Sequence, residues 1–173
     1  MYGKCRSIDQ SQHVFDRMLI KNSISWSALL GVYCQNRDFE TVIRIFREME
    51  ETDLYKFGTV LRACAGLAAV RLGKEVHCQY VRRGGWRDVI VESALVDLYA
   101  KCGCIDFAYQ IFVHMLVRNL ITWNSMISGF AQNGRGGEAL KIFEDMIVDG
   151  IKSDYLNFIV VLFACRLVAI LVW

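Results

Sequence analysis

The chain has 173 residues, room for one compact domain or about five helical hairpins. Hydrophobic residues make up 54% and charged residues 22%, which excludes a disordered chain. Proline is absent, which removes the strongest helix breaker, and a net charge of +2 leaves any basic surface to local clustering.

The first twelve residues, MYGKCRSIDQSQ, carry no apolar signal core and an early acid at Asp9. They match neither a secretory signal nor an Arg/Ser-rich organellar transit peptide. They do match a later stretch. MYGKCRSIDQSQHVFDRMLIKN overlays LYAKCGCIDFAYQIFVHMLVRN, and SISWSALLGVYCQNRDFETVIRIFREM overlays LITWNSMISGFAQNGRGGEALKIFEDM. Cys5 falls on Cys102, Asn22 on Asn119, Trp26 on Trp123 and Met49 on Met146, each 97 residues apart. Self-similarity at a fixed period is the mark of stacked helical repeats, each unable to bury its apolar face alone.

Residues 1–22 therefore read as the tail of a unit, so the chain is expected to be a fragment or a truncated product. Units follow at 23–53, 54–88, 89–119 and 120–154, with a divergent, incomplete one at 155–173. Each is expected to be a helix pair, without β-structure. The junctions carry Asn36, Gly66, Gly103 and Gly134, residues that tolerate a left-handed turn. In the unit at 120–154, Trp123, Met126, Ile127 and Phe130 recur at helical spacing before the turn. Ala139, Leu140, Ile142, Phe143, Met146 and Ile147 do so after it. Trp26 and Trp123 lie in such stripes, so core packing is favoured over base stacking.

Charge gathers in the unit at 54–88. Lys56, Arg62, Arg71, Lys74, Arg82, Arg83 and Arg87 face only Glu75 and Asp88, a local balance of +5. Arg62, Lys74, Arg82, Arg83 and Arg87 are candidates for phosphate contact, the alternative being a solvated helix face. Cysteines recur at matching places, Cys5 with Cys102 and Cys64 with Cys165, as small buried residues would. Cys102-Gly103-Cys104 lacks the spacing of a zinc site. The histidines fall into no deaminase, nucleophilic or metal pattern, and nothing in the residues calls for a cofactor or a metal, or for catalysis. The tail YLNFIVVLFACRLVAILVW is about long enough to span a bilayer, but Arg166 within it argues against that.

The phrases LVDLYAKCGCIDFAYQIF, ITWNSMISGFAQNG, EALKIFEDM and FGTVLRACAGLAAVRLGKEVH resemble those of the pentatricopeptide repeat family, in its subclass of alternating ordinary, long and short repeats. The resemblance covers almost the whole chain. It departs where the unit at 23–53 is shorter than an ordinary repeat, where Ser153 replaces the usual proline, and in the closing RLVAILVW. It implies an all-α, right-handed superhelical solenoid of helix-turn-helix repeats that binds single-stranded RNA, one base per repeat. Helical repeats that read one unstacked base with two or three side chains are an established solution to RNA recognition.

Carried over residue by residue, the reading pairs implied are Ser27 with Asp53, Gly58 with Asp88, Ser93 with Asn119, and Asn124 with Asp154. Ile24, Tyr55, Ile90 and Ile121 would pack on base faces. By the family's pattern these pairs imply guanine, no preference, adenine and uracil, a 5′-GNAU-3′ core. Asp53, Asp88, Asn119 and Asp154 also suit helix caps, a role compatible with reading. The subclass implies organellar RNA processing, in mitochondrion or chloroplast, and cytidine-to-uridine editing with the deaminase on a partner or on a part this chain lacks. A scaffold for protein partners, of the tetratricopeptide type, and an inactive truncated product are the alternatives.

Overall fold

The computed structural model describes residues 4–49, 54–85 and 87–152, with residues 159 and 162 beyond them. Among the described residues there are nine α-helices and no strand. The chain divides into two compact units, Met1–Trp86 and Arg87–Trp173. The first holds α1 (Lys4–Asp16), α2 (Ser23–Gln35), α3 (Phe39–Glu48), α4 (Leu54–Gly66) and α5 (Val70–Arg82). Here α2 packs on α1, α3 and α4, while α4 packs on α3 and α5. The second holds α6 (Val89–Lys101), α7 (Ile105–His114), α8 (Leu120–Gln132) and α9 (Gly136–Val148). In it α6 packs on α7 and α8, and α8 on α7 and α9.

Short polar side chains start α2, α3, α6 and α8. Oδ1 of Asn22 accepts from the Ser25 amide at 2.9 Å, and Oδ1 of Asn119 from the Thr122 amide at 2.9 Å. Asp38 and Asp88 cap α3 and α6 in the same way, accepting from Thr41 at 3.2 Å and from Ile90 at 2.8 Å. Such a cap stabilises a helix by about 1 kcal/mol, because it satisfies an amide that has no partner within the helix.

With no proline to stop them, the first helices end in one recurrent left-handed turn. The amides of Asp38, Ala69, Cys104 and Arg135 return to the carbonyls of Tyr33, Cys64, Tyr99 and Phe130 at 2.8–3.0 Å. The residue with positive φ in each is Arg37 (62°), Ala68 (51°), Gly103 (76°) and Gly134 (75°). This corrects the expectation for Asn36 and Gly66. Asn36 has φ −86° and instead donates its side-chain amide to the Val32 carbonyl at 2.8 Å. Gly66 ends α4, and a Cβ there would lie 2.2 Å from Cε2 of Phe39. Its bareness serves close packing, not handedness.

Trp26 and Trp123 pack as expected. Phe15 meets Trp26 edge-on with ring centroids 4.5 Å apart, and Phe112 meets Trp123 likewise at 4.9 Å. Each phenylalanine also carries a cation over its ring, Lys21 at 4.9 Å and Arg118 at 4.8 Å. All of these partners are related by the 97-residue period.

Among the described residues no helix is long and apolar enough to cross a membrane. The apolar tail that raised the question lies, apart from Ile159 and Leu162, outside the described residues.

Candidate nucleic-acid interface

The first turn of three helices leaves a large aliphatic side chain out of the core. Ile24 of α2 is 77% exposed, Ile90 of α6 52% and Ile121 of α8 63%. Of Tyr55, at the matching place on α4, only the backbone is described. Three residues on, and so on the same helix face, stand Ser27 and Asn124, half-buried, and Gly58 and Ser93, buried.

In the second unit the structure brings Ser93 and Asn119 together. Oγ of Ser93 lies 3.4 Å from Oδ1 of Asn119, 2.7 Å from Oγ1 of Thr122 and 2.5 Å from the Val89 carbonyl. Oγ1 of Thr122 is in turn 2.9 Å from the same Asn119 oxygen. An amide N–H can only donate, so the Asn119 atom that receives the Thr122 amide is its oxygen. The NH₂ of Asn119 therefore turns the other way.

Between α6 and α8 runs a groove of about 310 Å³, bordered by Asp97, Lys101, Ile121, Asn124, Ser125 and Gln132. Asp97 holds one wall, paired with Lys101 at 2.7 Å and accepting from the Ser125 hydroxyl at 3.3 Å. Oδ1 of Asn124 is buried at this groove and has no hydrogen-bond partner among the described residues. A buried acceptor without a donor costs about 1–3 kcal/mol.

The other pairs are only partly in view. Asp53 and Asp154 lie outside the described residues. Gly58 falls in the first unit and Asp88 in the second, where Asp88 caps α6. Its neighbour Glu92 has its carboxyl pushed up by burial, with the Asp88 charge adding to the effect.

Arg62, Lys74, Arg82, Arg83 and Arg87 are all exposed, on α4, along α5 and in the turn before α6, where Arg87 has φ 66°. Lys56, counted in the local charge balance, is 1% exposed and among the largest fully buried side chains. Cys64 is buried as expected, but Cys102 is only half-buried because it closes α6 at the turn. Among the described residues no cluster of His, Cys, Asp or Glu could hold a metal ion. Sequence reasoning missed Thr122 and the Asp97–Lys101 pair. The second was legible as an i,i+4 acid–base pair, whereas a threonine within an apolar stripe gives no signal until its neighbours are placed.

Helix pairs joined by the same left-handed turn, with polar residues and bare aliphatics repeating along the first helices, define a helical-repeat protein. The model of the PPR repeat matches residues 24–54, 93–120 and 121–151. The chain belongs to the pentatricopeptide repeat family. It is 64% identical over 95% of its length to the Arabidopsis thaliana pentatricopeptide repeat-containing protein At1g03540. It is 38% identical over 95% of its length to At2g03880 of the same plant, whose name adds "mitochondrial". It spans only 27% and 26% of those two proteins. The crystal structure of the pentatricopeptide repeat protein PPR10 in complex with an 18-nt psaJ RNA element has the same fold. Their TM-score is 0.73, at 15% identity, over 95% of this chain and 26% of that one.

Proposed function

We propose that this chain is a single-stranded RNA-binding module that reads one base per repeat, with units at 23–53, 54–88, 89–119 and 120–154. The observation that carries the reading is the unpartnered Oδ1 of Asn124, buried at a groove whose rim bears the exposed Ile121. Uracil offers a donor, N3–H, flanked by two carbonyls. An asparagine amide complements that edge, its oxygen accepting from N3–H and its NH₂ donating to a carbonyl. The ring stacks on Ile121, and Asp154 assists from the end of the repeat. At the preceding base, the NH₂ of Asn119 meets the N1 acceptor of adenine, where guanine presents a donor. Ser27 with Asp53 reads guanine, and Gly58 with Asp88 reads little, which gives the 5′-GNAU-3′ core. Ile24, Tyr55 and Ile90 pack on bases as Ile121 does. Arg62, Lys74, Arg82, Arg83 and Arg87 contact phosphates.

The whole protein is, on this reading, an organellar RNA-processing factor of the subclass with alternating repeat lengths. Its role is cytidine-to-uridine editing, with the deaminase on a partner or another part of the chain. Fold likeness to an RNA-bound repeat protein and a relative named mitochondrial support it.

The test is a titration of the chain with GNAU-containing single-stranded RNA and with a scrambled sequence at two salt concentrations. The core should bind more tightly than the scramble, and both should weaken with salt. Asn124→Ala should reduce the preference for uracil at the last base by about five- to tenfold, the worth of a hydrogen bond or two, and leave the other bases alone. Equal binding of scramble and core would remove the base code. No binding even at low salt would favour the protein scaffold.

A further inference from the structure

We infer that Thr122 is a specificity-positioning residue, which couples Ser93 of one repeat to the terminal Asn119 so that the two act on a base as one unit. The inference rests on the reading pair proposed above and adds a third member that touches no RNA.

Thr122 is fully buried, one of four polar or charged side chains in the described core. Its hydroxyl lies 2.7 Å from that of Ser93 and 2.9 Å from Oδ1 of Asn119, and its own amide donates to that same oxygen at 2.9 Å. Two hydroxyl protons serve this cluster. Ser93 can donate to Thr122 and Thr122 to Asn119, or Thr122 to Ser93 and Ser93 to the Val89 carbonyl at 2.5 Å. Both orders spend the protons inside the protein. What remains for a base is acceptor character at Ser93 and the two N–H donors of Asn119. An adenine edge, with its N6 amine beside the N1 acceptor, supplies the complement.

Two other described caps lack this coupling. At the position of Thr122 the first unit has Ser25, whose hydroxyl donates to the Asn22 backbone carbonyl at 2.8 Å instead of to a side chain. On α6 the position is Val91, which has no hydroxyl.

The test uses the full chain and four single-stranded RNAs that differ only at the third base of GNAU. Thr122→Val, Ser93→Ala and the double variant are compared with the parent. Thermal unfolding of each reports any loss of fold. Thr122→Val should cut the adenine-over-guanine ratio about fivefold, as loss of one net hydrogen bond does. Preference at the uracil should persist. In the Ser93→Ala background the same change should cost little more, because Thr122 acts through Ser93. Additive losses, or loss of preference at every base in step with thermal stability, would overturn the coupling. A parent that shows no adenine preference would instead overturn the reading pair itself.

Discussion

Residues 23–48 and 120–148 are the same repeat written twice, and among the described residues they differ in which helices their first helix meets, α1, α3 and α4 for α2 and α6, α7 and α9 for α8. The helices start in register, α2 at Ser23 and α8 at Leu120, α3 at Phe39 and α9 at Gly136, each 97 residues apart. In the second copy α8 lies against α6, and Trp123 is 2% exposed; in the first, Trp26 is half-buried. The crossing with α6 also explains a substitution. Gly129 meets α6 so closely that a Cβ would sit 2.7 Å from that of Ala100, whereas Val32 occupies the matching place in α2. A repeat's sequence thus reports which neighbour its first helix must admit.

The largest break in this symmetry should come from the tryptophans. Trp123→Ala removes a buried ring and its edge contact with Phe112, and should cost about 3–5 kcal/mol. Trp26→Ala removes a ring that is already partly in water, and should cost roughly half as much. Urea unfolding followed by circular dichroism would measure both. Equal losses would mean that the two copies bury their tryptophans alike.

Next come the turns, where the copies place Arg37 and Gly134 at the same left-handed position, φ 62° and 75°. Arginine pays a steric cost there that glycine does not, on the order of 1 kcal/mol. Arg37→Gly should therefore stabilise the chain by ~1 kcal/mol, and Gly134→Arg should destabilise it by a similar amount. No atom comes within 4 Å of a Cβ built on Gly134, so the second change isolates backbone strain from crowding. If both variants unfold at the parent's urea concentration, the turn tolerates either residue and the strain argument fails.

The pairing of helices was legible because it rests on local signals: apolar stripes at helical spacing, Asn and Asp before helix starts, and a repeat that doubles every signal. The tryptophans' role followed from the same stripes. The turn residues were misplaced by one or two positions in the first unit. A left-handed residue is set by where the helix's last carbonyls are satisfied, and Arg37 and Ala68 accept that conformation without advertising it. The burial of Lys56 was not legible, because a lysine's charge says nothing of which way its helix faces. The Ser93–Thr122–Asn119 cluster was half legible. The flanking residues were named from the family pattern, but their link passes through a residue 29 positions from Ser93, a contact that only packing creates.

The smallest predicted effect concerns the cations over the paired phenylalanines, Lys21 in the first copy and Arg118 in the second. Arg118 stacks on Phe112 and also donates from Nε to the Phe112 carbonyl at 2.9 Å and from Nη2 to the Val113 carbonyl at 3.0 Å. These carbonyls belong to the last turn of α7, where cations are favoured by the helix dipole and by unsatisfied acceptors. A lysine has one nitrogen on a flexible stem, so it can sit over a ring but cannot fork across two carbonyls from a rigid plane while doing so. Arg118→Lys should cost about 0.5–1 kcal/mol, and Lys21→Arg should return part of that to the first copy. A change in either direction from only one of the two would show that the end of α1 lacks the carbonyl geometry that α7 offers Arg118, and would locate the difference between the copies in the helix end, with the ring pair the same in both.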